Sequence, residues 1–254
     1  MKHRQHFAFA LAWITCSASP AFSRANEPKS GQSSNNIISL QLVQDFGLNH
    51  ATNPCSMDGQ TNGGFACFRP SGTQYHGQPL PDSSGNISAF PGLATTRILG
   101  GYDRLVSNQL LFGLRLGWVL RGGGPRPDGA YGPDFLPFHG EIRFGYVFGK
   151  QPFQPGRLQV SAFVNGGIAQ VDTLYPLTIR EDLSKQPAAV QLDNPKAQEL
   201  AAYRKSGTGF AGAGITITYM ISRHWGISAS PKLAILFPSP GVAISLEAGA
   251  GLSF

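Results

Sequence analysis

The sequence predicts an all-β protein, an eight-stranded antiparallel up-and-down transmembrane β-barrel with long extracellular loops and one short loop helix. Three observations support this fold class. Eight segments of about ten residues alternate apolar with polar side chains, which is typical of strands with one lipid-facing side. The connections between them are alternately long and short until the last one. Charged residues inside the segments occur singly, and always on the polar side.

A secretory signal peptide is expected at residues 1–23. It begins with the basic residues Lys2 and Arg4, continues with an apolar run too short to span a membrane, and ends in small residues at Ser23. We expect residues 24–36 to form a flexible lead-in and residues 37–254 to form the barrel.

The net charge of the remaining chain is mildly basic. Loss of the signal peptide leaves 18 Lys and Arg against 14 Asp and Glu. There is no run of Lys or Arg and no nucleic-acid motif, so no nucleic-acid partner is expected. The 32 glycines and 19 prolines favour strands and loops over helices.

The first four strands are predicted from strict alternation. Apolar residues take every second position, as in Ile38, Leu40 and Leu42 of the first strand. The third strand has the most complete apolar side and fits a helical period poorly. These strands are predicted at residues 37–46, 93–102, 110–121 and 138–148.

The last four strands follow the same rule. Pro231 fits the seventh strand poorly, because proline removes a ladder hydrogen bond and is expected at a bulge or an irregular position. The eighth strand ends the chain on an aromatic residue, Phe254. These strands are predicted at residues 158–171, 210–221, 225–237 and 242–254.

The connection lengths predict which end of the barrel faces which compartment. Residues 47–92, 122–137 and 172–206 are long and rich in Gly, Pro or polar residues, whereas the second, fourth and sixth connections are short. Outer-membrane barrels have short periplasmic turns and long extracellular loops. Both termini are therefore expected in the periplasm.

Two of the long connections carry local signals. Cys55 and Cys67 are close together in a Gly- and Asn-rich segment, which favours a disulfide in an exported protein; a zinc site with His50 and His76 is the alternative, although neither histidine has motif spacing to a cysteine. In the third long connection, Asn194, Pro195 and KAQELAAYRK predict a short helix.

The charged strand residues indicate what the lumen contains. A charge that faces lipid at mid-depth costs about 2 to 4 kcal/mol for Arg or Lys, so the polar sides must point inward. Eight strands enclose little more than their own side chains, and buried charges without water should pair. We expect a salt-bridged lumen, with Asp45 as a further acid, formed by Arg97, Arg115, Glu141, Arg143, Lys232 and Glu247.

Catalytic and cofactor signals are weak. GTGFAG has the glycine spacing of a dinucleotide site, but it opens a strand rather than joining a strand to a helix. No metal, cofactor or enzymatic activity is expected. The alternative is a lipid-modifying enzyme in which His139 acts with a loop serine near the outer rim.

The signal peptide, the eight alternating segments and the terminal Phe254 resemble the OmpA/OmpX/OmpW-like family of small outer-membrane barrels. Phrases such as LATTRILGGYDR and LPFHGEIRFGYVFG resemble uncharacterised myxobacterial members. The resemblance covers residues 37–254 and implies an integral outer-membrane location, with Phe254 as the insertion signal read by the barrel-assembly machinery. No counterpart of the peptidoglycan-binding domain of full-length OmpA is expected.

These observations predict a non-enzymatic barrel that acts through its extracellular loops. The expected partners are outer-membrane lipid, lipopolysaccharide and an extracellular ligand at the loops, with loop cations such as Arg121, Arg204 and Lys205 meeting phosphates. A narrow channel for small or apolar solutes is the main alternative.

Overall fold

The computed structural model describes residues 35–80, 85–88, 91–125, 135–149, 153–184, 187 and 196–254. The predicted signal peptide and most of the lead-in lie outside these residues, as do Asn194 and Pro195. The elements are β1 (Asn36–Leu48), α1 (Met57–Thr61), β2 (Phe65–Phe68), β3 (Pro91–Leu105), β4 (Leu110–Arg121), β5 (Phe138–Phe148), β6 (Leu158–Ile168), β7 (Val171–Glu181), β8 (Lys196–Ser206), β9 (Gly209–Met220), β10 (Trp225–Phe237) and β11 (Gly241–Ser253).

Eight of these strands close into an antiparallel barrel. Their order around the wall is β1, β11, β10, β9, β6, β5, β4 and β3, and β3 pairs back onto β1. At the closing seam, Leu42 of β1 is opposite Ala248 of β11 on one side and Ile98 of β3 on the other. The predicted eight-stranded barrel is confirmed, and each predicted barrel strand agrees with an observed one to within a few residues.

The two sides of each strand differ as the alternation predicts. Apolar side chains form an exposed outer band in which, for example, Leu116 is 61% and Val164 is 59% exposed. Charged side chains of the same strands, such as Arg143 at 2%, are buried inside. Apolar outside and charged inside is the arrangement of a barrel that sits in a bilayer.

Aromatic side chains lie on the outer surface towards both ends of the barrel. Trp118 and Phe237 are exposed at the end with the long connections, here called the loop end. The opposite end, here called the turn end, has the short turns and both barrel termini. Its exposed aromatic residues are Tyr146, Phe148, Tyr219, Trp225 and Phe254.

The strands β7 and β8 are not part of the barrel wall. They form an eleven-residue antiparallel hairpin, from Val171 opposite Ser206 to Glu181 opposite Lys196. The short strand β2 adds to the outer edge of β8. The backbone pairing of β7 with the wall is limited to one residue pair, Leu93 with Leu174. Among the described residues no helix has both the length and the apolar character needed to cross a membrane.

The helix predicted from KAQELAAYRK is wrong, since this segment is β8. Its buried positions include Leu200 at 3% and Ala202 at 0% exposure, a period of two. The segment pairs with β7 and buries this side in a shared core, so tertiary contacts override its local helix propensity. The short loop helix of the described residues is α1, in the first long connection.

The strand predicted over residues 158–171 is also divided. The wall strand β6 ends at Ile168, and Val171 already begins β7.

Candidate functional site

The centre of the lumen contains a ring of four ions, here called the ion ring: Glu141 and Arg143 on β5, Lys232 on β10 and Glu247 on β11. Lys232 Nζ lies 2.8 Å from Glu141 Oε2 and 2.6 Å from Glu247 Oε1. The Arg143 guanidinium lies 2.6 Å from Glu141 and 2.9 Å from Glu247. Each carboxylate therefore contacts both cations, and the ring carries no net charge.

The ring also has an aromatic support. The Arg143 guanidinium carbon lies 3.9 Å from the centroid of the Phe163 ring. A cation held over an aromatic face in a desolvated place gains further stabilisation. Arg143 is thereby fixed by two carboxylates and one ring, so it has little freedom to leave the lumen centre.

A second set of polar residues lies against the ring on its loop-end side. Arg97 forms a 2.5 Å ion pair with Asp45, which also accepts a 2.6 Å hydrogen bond from Ser245. Arg97 donates to His139 Nδ1 at 2.8 Å, and His139 Nε2 lies 3.2 Å from Glu141. Because Arg97 can only donate, Nδ1 must accept, which places the histidine proton on Nε2 where it is donated to Glu141.

The sixth predicted lumenal ion, Arg115, does not join the ring. It forms a bidentate pair with Asp103, at 2.9 and 2.7 Å, on the turn-end side. Asp103 lies just beyond the strand that was predicted over residues 93–102, and His139 was expected near the outer rim. The signal that identifies Asp103 is its period-two position after Arg97 and Gly101, because β3 continues to Leu105.

The loop end of the lumen is filled by apolar side chains. Leu236 and Phe210 are each 3% exposed and continue the inward-facing rows of β10 and β9 beyond the ion ring. This group, here called the loop-end cluster, consists of Ala94, Ala169, Val171, Phe210, Ala234, Leu236 and Ala243. In the described residues an apolar layer therefore lies between the ring of paired ions and the loop end.

The turn-end half of the lumen contains a cavity of about 50 Å³. Three buried polar atoms on its wall have no hydrogen-bond partner within the protein: Ser39 Oγ, Gln41 Oε1 and Arg115 Nε. A cavity of this size accommodates about three or four water molecules, which buried polar atoms of this kind normally bind. The cavity thus lies in the polar, turn-end half of the lumen and is lined by polar atoms that bonds within the protein do not satisfy.

The two longest connections fold together outside the barrel. Residues 49–80, 85–88 and 171–206, in their described parts, form the loop subdomain, a three-stranded sheet with its own core. Phe65, Ile179 and Leu200 are among the buried residues of that core. Tyr175 ties it to the barrel by donating a 2.8 Å hydrogen bond to the Gly47 carbonyl.

The predicted disulfide between Cys55 and Cys67 is confirmed, with Cα atoms 5.5 Å apart. Gln60 holds the same loop closed, since its Nε2 donates to the carbonyls of Cys55 and Tyr75 at 3.1 and 3.0 Å. Both sulfurs are used in the bond, so they are not available for the alternative zinc site. In the described part of the chain no group of three or more metal-binding side chains is present.

Burial shifts the acid–base properties of three side chains in the loop subdomain. Desolvation raises the pKa of Tyr75 and of Tyr175, so both phenols stay neutral. Desolvation also raises the pKa of Asp172, although the Gly124 N–H and the charge of Lys205 act against it. Asp172 is therefore a carboxylate in an unfavourable environment.

The described residues do not form the arrangement that the enzymatic alternative requires. His139 is only 2% exposed and lies between Arg97 and Glu141 rather than at the rim. Within the described residues no serine is hydrogen-bonded to its ring. The Phe254 side chain, by contrast, is 55% exposed on the outer surface, and its N–H donates to the Asn36 carbonyl at 3.0 Å beside the closing seam.

No family model matches this sequence, and no curated protein does. Solved structures that are similar over most of the chain include the following three. The N-terminal beta-barrel domain of Pseudomonas aeruginosa OprF is 10% identical, with a TM-score of 0.37, over 88% of this chain and 100% of that chain. Ail, the attachment invasion locus protein of Yersinia pestis, is 11% identical, with a TM-score of 0.36 and the same coverage.

The outer membrane protein OprG from Pseudomonas aeruginosa is 6% identical, with a TM-score of 0.37, over 88% of this chain and 98% of that chain. These identities are too low to transfer the role of any residue. The fold assigned above therefore rests on the strand pairing of this chain itself.

Proposed function

We propose that this chain is an integral barrel of the bacterial outer membrane that does not conduct solutes and that presents the loop subdomain at the cell surface as an interaction module. The observation that carries the proposal is the folded loop subdomain. Its core and its disulfide lie at one end of the barrel, above a lumen that contains paired ions and the loop-end cluster.

The packing of the lumen argues against the alternative of a narrow channel. A solute crossing from the turn end would have to separate the ion ring, in which each carboxylate holds two cations. Removing one member of such a buried pair costs about 3 to 5 kcal/mol. It would then meet the apolar loop-end cluster, which offers a polar solute no hydrogen bonds.

Planar bilayers test the closed lumen directly. The purified protein is expected to give no discrete current steps. Discrete openings would overturn the proposal if Arg115→Gln or Glu247→Gln abolished them, because conduction would then pass through the lumen. A variant of Arg157, an exposed turn residue, is the control and should leave such openings unchanged.

Orientation has a test of its own. With both termini in the periplasm, Ser239 at the loop end is extracellular and Arg223 at the turn end is periplasmic; both residues are exposed. In intact cells a membrane-impermeant maleimide should label Ser239→Cys and not Arg223→Cys, and both after lysis. The native pair Cys55 and Cys67 is disulfide-bonded and stays unlabelled. The reverse pattern would place the loop subdomain in the periplasm.

The surrounding lipid is the first partner that the surface fits. Arg204 and Lys205 lie in β8 next to the loop-end turn of the barrel, where Arg204 donates to the Pro240 carbonyl at 3.2 Å. Cations at this level meet lipopolysaccharide phosphates. The double variant Arg204→Gln/Lys205→Gln should retain less lipopolysaccharide during purification than the matched variant Arg157→Gln at the turn end. Equal retention would remove these two cations from the interaction.

A further inference from the structure

A second cavity lies at the loop end, where the barrel wall meets the loop subdomain. It has a volume of about 160 Å³ and is here called the rim cavity. The end of β4 and the glycines that follow it form one side, and β7 and β8 form the other. Its lining residues are Leu93, Ala94, Arg121, Gly122, Gly123, Gly124, Asp172, Leu174 and Tyr203.

The Asp172 carboxylate in this wall is incompletely satisfied. The residue is 5% exposed, and one carboxylate oxygen, Oδ2, accepts a short hydrogen bond from the Gly124 N–H. The other oxygen, Oδ1, is buried and has no partner. In the described residues no cation lies within ion-pair distance of Asp172, although Lys205 is opposite it in the hairpin register. A buried carboxylate oxygen without a donor is costly, so the site favours a ligand that brings an N–H group.

The rest of the wall is suited to an organic cation. The Tyr203 ring packs so closely on Gly124 that a Cβ at this glycine would collide with it. Leu93 and Leu174 add apolar surface beside the ring. A carboxylate next to an aromatic ring and apolar side chains is the setting in which an alkylammonium group is bound.

A divalent metal ion fits this wall poorly. Calcium takes six to eight oxygen ligands, several of them from carboxylates, and magnesium also relies on carboxylates. Asp172 is the one acidic side chain among the lining residues. The single negative charge is matched by one ammonium group.

The mouth of the cavity carries the opposite charge. Arg121 lines the cavity and is exposed to solvent at the end of β4. A guanidinium is the preferred partner of phosphate oxygens. The rim cavity thus presents a negative charge inside and a positive charge outside, which is the pattern of a zwitterion that enters with its ammonium first.

The cavity also lies at the depth of the lipid headgroups. Trp118 and Leu120, which precede Arg121 on β4, are 55% and 61% exposed in the outer apolar band. Arg121 is therefore at the edge of this band, and aromatic residues such as Trp118 mark the depth of lipid headgroups.

We propose that the rim cavity binds a phosphoethanolamine group, whose ammonium donates to Asp172 Oδ1 and whose phosphate accepts hydrogen bonds from Arg121. The chemistry is the same for a free solute and for a lipid headgroup. It is independent of whether the lumen conducts and of which partner the loop subdomain binds.

Titration of the protein in glycoside detergent with O-phosphoethanolamine, followed by calorimetry, tests the site. We expect saturable binding that weakens at least about tenfold in Asp172→Asn and in Arg121→Gln. Glu199→Gln, an exposed acid of β8 outside the rim cavity, is the matched control and should bind as the wild type does. Arg121 is exposed, so its variant keeps the test valid if Asp172→Asn fails to fold.

The choice of probe separates the two halves of the site. O-phosphocholine, whose quaternary ammonium has no N–H to donate to Asp172, should bind more weakly than O-phosphoethanolamine. Absence of saturable binding of O-phosphoethanolamine to the wild type, or equal binding to Asp172→Asn and to the wild type, would overturn the proposal.

Lipid retention identifies the source of the ligand. Native mass spectrometry measures which lipids stay bound to protein that is released from mixed micelles of phosphatidylethanolamine and phosphatidylglycerol. Selective retention of phosphatidylethanolamine by the wild type, lost in Arg121→Gln, assigns the site to a lipid headgroup. Binding of the soluble probe without such retention assigns it to a free solute.

Discussion

Replacement of Lys232 by Met is the most informative perturbation of the lumen. Lys232 Nζ has two carboxylate contacts, at 2.8 and 2.6 Å, and the residue is 5% exposed. At an effective dielectric constant of about 20, each contact has a Coulomb energy of roughly 6 kcal/mol, which the desolvation of the ions largely offsets. The methionine side chain has a similar volume, so the substitution removes the charge and little of the packing.

We expect Lys232→Met to lower the free energy of unfolding by about 3 to 5 kcal/mol, because Glu141 and Glu247 then share one cation, Arg143. The double variant Lys232→Met/Glu247→Gln restores neutrality. It should be more stable than Lys232→Met alone, with a coupling energy of about 2 kcal/mol between the two sites.

Urea unfolding in lipid vesicles measures both values, since Trp118 and Trp225 lie on the lipid-facing surface and report the transition. Arg157→Met, at an exposed turn residue, is the matched loss of a cation and should change stability by less than about 0.5 kcal/mol. If Lys232→Met behaves like Arg157→Met, or if the double variant is less stable than Lys232→Met, the ion ring does not stabilise the barrel in the way described.

Three further predictions concern the loop subdomain. Cys55→Ser/Cys67→Ser removes a link across a sequence separation of 12 and should destabilise the subdomain by roughly 3 kcal/mol, which speeds its proteolysis. The barrel should keep its heat-modifiable gel mobility. Loss of this mobility together with protease resistance would show that the barrel depends on the disulfide. Leu200→Ala, on the buried side of β8, should lower the stability of the subdomain by about 2 to 5 kcal/mol and so speed its proteolysis. Glu199→Ala, at the neighbouring exposed position, should not. Similar effects at both positions would contradict the assignment of this segment to a strand. Burial raises the pKa of Asp172 above its ordinary value of 3.8. The protonated carboxyl therefore stabilises the folded state fully below pH 3.8, and this stabilisation is lost as the pH rises through the raised pKa. In vesicles without phosphoethanolamine lipids, the wild type should therefore lose urea resistance relative to Asp172→Asn as the pH increases, and a constant difference between the two would refute the assignment.

The local alternation of side chains was sufficient to predict the barrel. A period of two says which side of a strand is apolar, and that information needs no knowledge of the partner strand. Connection lengths can likewise be read from the chain without knowledge of strand pairing. The disulfide between Cys55 and Cys67 could be predicted because the two residues are near each other in the sequence. The inward positions of Arg97, Arg143 and Glu247 followed from the cost of a charge in lipid.

The tertiary structure alone decided which charges meet. Lys232 and Glu141 are 91 residues apart, and Arg143 and Glu247 are 104 apart, so their contact depends on the shear and register of a closed sheet. Asp103 and His139 became lumenal partners for the same reason. Residues 196–206 form β8 rather than a helix because pairing with β7 buries Leu200 and Ala202. Alternation is a property of each strand, whereas pairing, cavities and the rim site are properties of strands that the chain brings together from distant segments.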